Sequence, residues 1–231
     1  MHIPDGFINA GTSLGAGAVG AAGLSVAVQK AGRALDDKRV PLAGLMAAFI
    51  FAVQMLNFPI AVGTSGHMIG GVLAAVLMGP WVGALCVSVV LLVQALFADG
   101  GLTALGLNAI NIALIPGIAG YGLFCVIRRV VPATRTGIVA ASGITAGLSV
   151  LMSAAAFVVE YSLGGSSSVS LSAVATSMLS VHSMIAIGEG LITGATVGLV
   201  LNVRPDLVYG APNPRRTFVS PSAEVAHEGA A

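Results

Sequence analysis

The sequence predicts an all-α protein, a polytopic bundle of about seven membrane-spanning helices. Three observations carry that expectation. Of 231 residues, 56% are hydrophobic and only 8% are charged, whereas a soluble domain devotes about a quarter of its residues to charge. The apolar residues fall in stretches long enough to cross a hydrocarbon core, which takes about 20 helical residues. The 31 glycines would weaken soluble helices, but small residues let membrane helices pack backbone against backbone.

Seven apolar runs occupy 7–28, 41–56, 66–78, 80–98, 102–127, 137–161 and 179–201. The third is short for a span, so counting alone leaves six or seven helices. Charge decides between them. The ten basic residues lie in three places only: Lys30 to Arg39, Arg128 to Arg135, and Arg204 to Arg216. The positive-inside rule puts all three in the cytoplasm. Run two then leads outward and run five returns inward, so the apolar stretch between them crosses twice, turning at Gly79-Pro80. The expected topology has seven segments, the N-terminus outside and the C-terminus inside. Residues 1–203 form the membrane domain, and the polar, Pro-containing stretch 204–231 is expected to be a disordered cytoplasmic tail. The Gly/Ser-rich loop 162–170 is expected to be external and flexible. Spacings such as Gly143–Gly147 and Gly190–Gly194 suit close helix contacts.

Several classes drop out on composition. A net charge of +1 with no basic face gives nucleic acid nothing to bind. Cys86 and Cys125 both sit in apolar runs and read as small buried hydrophobes, not as a disulfide framework or a metal site. No basic segment precedes the first run, so no signal peptide is expected, and the free amine should belong to Met1. There is no G-x-x-x-x-G-K-[ST] loop for ATP and no H-E-x-x-H for an intramembrane protease. The chain is therefore not expected to be an enzyme.

With that topology, polar side chains can be sorted by depth. Gln54, Asn57, His67, Gln94, Asp99, Asn108, Asn111, His182 and Glu189 all fall at the outer ends of their runs, and the inner halves hold almost nothing comparable. Polar groups in hydrocarbon cost several kcal/mol each unless satisfied, and ionisable ones face the bundle interior. Nine at one end indicate an outward-facing polar cavity. A single member could equally be a structural hydrogen-bonding residue. A full-depth permease would carry polar residues through the whole bundle.

His2 adds a specific chemistry. A free amine, the next amide nitrogen and an imidazole can chelate one metal ion, and amine and imidazole both lose protons near neutral pH. An imidazole from His67 or His182 would complete a planar nitrogen set, which favours Ni(II) or Cu(II). Taken alone, Met-His also occurs by chance, and His67 also fits a satisfied helix-end histidine.

The segments that carry these residues resemble one family. They are Met1-His2-Ile3-Pro4-Asp5-Gly6-Phe7-Ile8, Gln54-Met55-Leu56-Asn57-Phe58-Pro59, Gly63-Thr64-Ser65-Gly66-His67 with Gly70-Gly71, Gln94-Ala95-Leu96-Phe97-Ala98-Asp99-Gly100-Gly101, Leu105-Gly106-Leu107-Asn108 with Asn111, and His182 with Gly188-Glu189-Gly190. In order along the chain they are similar to the CbiM/NikM family, the substrate-capture subunits of energy-coupling factor (ECF) transporters. The resemblance implies capture of cobalt or nickel at the outer face of a prokaryotic cell membrane, with no organic cofactor. Its ligands would be Met1 (amine), His2 (amide and imidazole) and His67 (imidazole). Gln54, Asn57, Asn108, Asn111, His182 and Glu189 would orient them. Implied partners are a transmembrane coupling subunit, cytoplasmic ATPase subunits and a small accessory membrane protein. Cobalt for cobalamin synthesis is slightly favoured because that branch is common; a nickel-specific subunit and a self-sufficient permease are the alternatives.

Overall fold

The computed structural model describes residues 1–35, 37, 39–60 and 64–211. Its helices run between two ends of one bundle. Helix α1 (Ala10–Gly32) is capped by Asn9, whose side chain accepts from the Thr12 amide. Helix α2 (Arg39–Gln54) returns, and two three-residue strands, β1 (Phe58–Ile60) and β2 (Thr64–Gly66), pair antiparallel. Helix α3 (Gly71–Met78) and helix α4 (Pro80–Leu96) meet at Gly79, whose φ of +94° suits glycine.

A short α5 (Leu105–Asn108) continues through a π-helical stretch, Ala109–Ala119, into α6 (Gly120–Val130). The widened turn contains Pro116, which cannot donate to an α-helical ladder. Helices α7 (Arg135–Gly164) and α8 (Leu171–Val203) are the longest and pack on each other. Their contact uses the expected glycines: a Cβ added at Gly143 would lie 2.8 Å from the Gly190 carbonyl, and one at Gly190 2.8 Å from that of Gly143.

Among the described residues four helical stretches are long and apolar enough to cross a membrane, and α2 and α4 are shorter apolar helices. This is a multi-pass membrane protein. The third run departs from the expectation of a regular span. It is helical only over the eight residues of α3, about 12 Å, and residues 64–70 before it are a short strand and irregular chain, with Gly70 at φ +75°. Every residue of α3 is nevertheless buried, so its lead-in lies inside protein, where irregular backbone at membrane depth is tolerated. The described basic residues sit at one end: Lys30 in the last turn of α1, Arg33 capping it, Arg39 opening α2, Arg128 and Arg129 ending α6, Arg135 opening α7 and Arg204 after α8.

Two further expectations need correction. The loop after α7 is not a free tether: Ser162 to Gly164 are helical, Ser166 N donates to Phe7 O at 3.0 Å, and the Tyr161 hydroxyl bonds Ser167 and Val169. Past the boundary expected at 203 the chain still packs on α3. Tyr209 and Gly210 donate to Leu77 and Val76 carbonyls, and Val208 is buried; residues 212–231 of the expected tail lie outside the described ones. Cys125 is exposed, while Cys86 is buried, because Cys125 falls on the outward side of α6.

Candidate metal centre

The first eight residues are a hook folded into the bundle end opposite the basic residues. Met1 and Ile3 are fully buried and His2 nearly so. The backbone is held at each step. Ile3 N donates to Asn108 Oδ1 at 2.8 Å, and Ile3 O accepts from Gly101 N at 2.8 Å and Asn108 Nδ2 at 3.2 Å. Asp5 Oδ1 accepts from the Thr103 amide at 2.7 Å and hydroxyl at 2.6 Å, which holds its carboxyl below the usual range. Gly6, at φ +75°, turns the chain, and Phe7 packs on Phe157 and Tyr161. The hook ends where Asn9 N donates to Gly164 O at 2.7 Å.

This places the Met1 amine against the Ser65 carbonyl, to which it donates. Burial lowers the amine from its ordinary value of 8.0 to about 4, partly opposed by Asp99, so it is neutral at physiological pH. The rings of His2 and His67 stack with centroids 4.4 Å apart and planes 28° apart. His67 is fully buried, and burial, helped by the charge of the amine, holds its pKa well below the ordinary 6.5. Its Nδ1–H donates to Met68 O at 2.7 Å, leaving the Nε2 lone pair buried and without a hydrogen-bond partner.

His2 is oriented from the opposite side. Its Nε2–H donates to Gln94 Oε1 at 3.1 Å, which leaves Nδ1 as the lone-pair nitrogen. That nitrogen lies 3.2 Å from Asp99 Oδ1 but is not aligned as a hydrogen bond. Asn57 Nδ2 donates to the other Asp99 oxygen at 3.3 Å. A cavity of about 590 Å³ opens beside these residues, lined by His2, Asn57, Thr64, Ser65, Asp99 and Gly100 among others.

Gln54 and Glu189 hold the His67 segment. Gln54 Nε2 donates to Ile69 O at 2.7 Å, and the two carboxylate oxygens of Glu189 accept from Ile69 N at 2.6 Å and Gly70 N at 2.7 Å. Helix α3 begins at the next residue, so the carboxylate also faces a helix N-terminus. Asn108 fixes Ile3, and Asn57 reaches His2 only through Asp99. His182 is buried in the same region, its Nδ1 bonded to Met178 O at 2.8 Å. Asn111 faces elsewhere, donating to Glu160 Oε2 at 2.5 Å. Gln94 and Asp99 touch His2, and sequence reasoning assigned neither a role. The polar ends of the runs named them, but nothing in their spacing showed which one faces His2. Among the described residues no three His, Cys, Asp or Glu side chains form a metal-holding group, so any chelate here draws on backbone and terminal nitrogens.

Residues 2–207 match the family described as the cobalt uptake substrate-specific transmembrane region. The chain belongs to that family. It is a membrane component of cobalt or nickel transport. A Haloquadratum walsbyi protein named for metal transport is 39% identical over 215 residues, covering 90% of this chain and 94% of that one. The fused nickel transport protein NikMN of Rhodobacter capsulatus is 39% identical over 130 residues, 56% of this chain but 38% of the longer relative. A crystal structure of a truncated transition metal transporter superposes with a TM-score of 0.81 at 31% identity, covering 87% of this chain and 99% of that one.

Proposed function

We propose that the chain is the capture subunit of an ECF-type transporter and binds one Ni(II) or Co(II) ion at the outer face. The ion is held by the Met1 amine, the His2 amide and Nδ1, and His67 Nε2. The observation that carries this reading is the stacked His2–His67 pair beside a neutral, buried amine. With metal–nitrogen bonds of about 2.0 Å, two imidazoles bound at a right angle to one ion place their centroids about 4.5 Å apart. The rings already stand at 4.4 Å. The free lone pair on His2 Nδ1 sits on the atom that closes a six-membered chelate ring with the His2 amide. An all-nitrogen planar set favours nickel, against the slight expectation of cobalt from the breadth of the family.

The reading takes the seven segments expected from the sequence, with the basic end in the cytoplasm and the hook outside. Among the described residues the half of the bundle toward the basic end offers no ligand set comparable to the hook. Movement of the ion inward therefore falls to a membrane coupling subunit and cytoplasmic ATPase subunits, with a small accessory membrane protein. The test is uptake of radiolabelled nickel and cobalt by cells carrying this chain with and without such partners. Energy-dependent accumulation only when both are present is expected. Accumulation by the chain alone would make it a self-sufficient permease.

A further inference from the structure

Two separate elements grip the hook. Asn108, the last residue of α5, takes both the amide and the carbonyl of Ile3. The end of α7 takes the other half: Phe157 and Tyr161 pack on Phe7, and Gly164 O accepts from Asn9 N. The nitrogens of Met1 and His2 precede Ile3, so where they lie depends on how these two walls are spaced. Among the described residues one side-chain hydrogen bond joins the walls, from Asn111 Nδ2 to Glu160 Oε2 at 2.5 Å. Asn111 follows Asn108 by one turn. Glu160 follows Phe157 by one turn and adjoins Tyr161.

Packing alone accounts poorly for this pair. An ionisable side chain inside a membrane bundle is costly and marks function by default, and a second amide would tie the helices at lower cost. The tie is also incomplete. Asn111 is fully buried, and its Oδ1 has no hydrogen-bond partner, although buried polar atoms are nearly always satisfied. Asn111 lies in the π-helical stretch, a geometry that recurs at functional sites. No other charge acts on Glu160. Of the elements packed on α7, α1 and α6 carry their charges at the basic end, as Lys30, Arg33, Arg128 and Arg129. The π-helical stretch and α3 carry none. On α8, His182 bonds Met178 O and Glu189 holds the Ile69 and Gly70 amides.

We propose that Asn111 and Glu160 are positioning residues for metal capture: a proton on Glu160 closes a two-bond ring with the Asn111 amide and locks the walls that grip the hook. This rests on the hook holding a metal ion. A primary amide and a carboxylic acid pair through two parallel hydrogen bonds, amide N–H to acid carbonyl and acid O–H to amide oxygen. The first of these is present. The second gives Asn111 Oδ1 the donor it lacks. When Glu160 ionises, the O–H is lost, only the first bond remains, and the walls loosen around the hook.

The test is calorimetric titration of Ni(II) into the full chain in detergent, with its native N-terminus, at about pH 6.5 and about pH 9, a range in which buried carboxyls titrate. Glutamine at 160 mimics the protonated acid, since its N–H donates to Asn111 Oδ1 and its oxygen accepts from Nδ2. Glu160→Gln should bind within about twofold of wild type at the lower pH and about tenfold tighter at the higher, the scale of losing an outer partner. The chelate releases its own protons in both forms, so the ratio of the two affinities cancels that dependence. Glu160→Ala should bind about tenfold more weakly than Glu160→Gln at both pH values. In an Asn111→Ala background, Glu160→Gln should change nothing, because the ring is already broken. The ratio needs only Glu160→Gln, so it stands even if Glu160→Ala does not fold. A Glu160→Gln chain as weak as Glu160→Ala, or a ratio to wild type that stays constant with pH, overturns the proposal. Failure of the native chain to bind Ni(II) at both pH values would instead sink the capture reading.

Discussion

At the residue scale, Gln94 orients His2 through a single 3.1 Å hydrogen bond. Gln94→Ala removes the acceptor that fixes the tautomer, and outer partners of this kind are worth about 10–100-fold in metal affinity. Calorimetry should show that loss with the one-to-one stoichiometry retained. The buried amine and His67 make a separate prediction for the metal-free protein. Both hold fewer protons folded than unfolded. The stability tied to the amine is therefore fully present above pH 8, the ordinary value, and is lost as pH falls toward about 4. The melting temperature should rise with pH across that window, and a flat profile would mean that the amine is not buried. His2 and His67 were legible because Met-His at a chain start has its own chelate chemistry. Glu160 was not: a lone carboxylate ending an apolar run reads as interfacial. The signal that could have found it is Asn111, a span residue that needs a partner.

At the element scale, the hook depends on a close approach that no side chain can share. A Cβ at Gly101 would lie 2.4 Å from Asp5 N, and Gly101 N holds Ile3 O. Gly101→Ala should lift the hook and lower Ni(II) affinity by at least about tenfold, since a small misplacement of ligands is costly. Glycine at 122, with open space around it, is the control position, and Gly122→Ala should leave affinity unchanged. The long helices were legible from run length. The β1–β2 hairpin was not, since two three-residue strands give too little alternation to see. The short α3 was foreshadowed by the length of run three, but its full burial comes from neighbours that sequence spacing does not identify.

At the scale of the whole molecule, charge placement decided the topology in the sequence and predicts the orientation. In a background with Cys86 and Cys125 replaced by Ser, Ser168→Cys, exposed at the hook end, should react with a membrane-impermeant maleimide in intact cells. Asp37→Cys, exposed at the basic end, should react only after permeabilisation, and the reverse pattern would invert the protein. Most residues of α1 and α8 are not buried, so much of their apolar surface faces lipid or other subunits. The central claim is that the chain's own first nitrogens hold the metal. The most direct measurement is calorimetric titration of Ni(II) and Co(II) into three purified forms: native, His2→Ala, and His67→Ala. The native form should bind one ion tightly, and each alteration should cost at least about 100-fold. Equal binding by all three forms would contradict the account and assign the polar cavity to another solute.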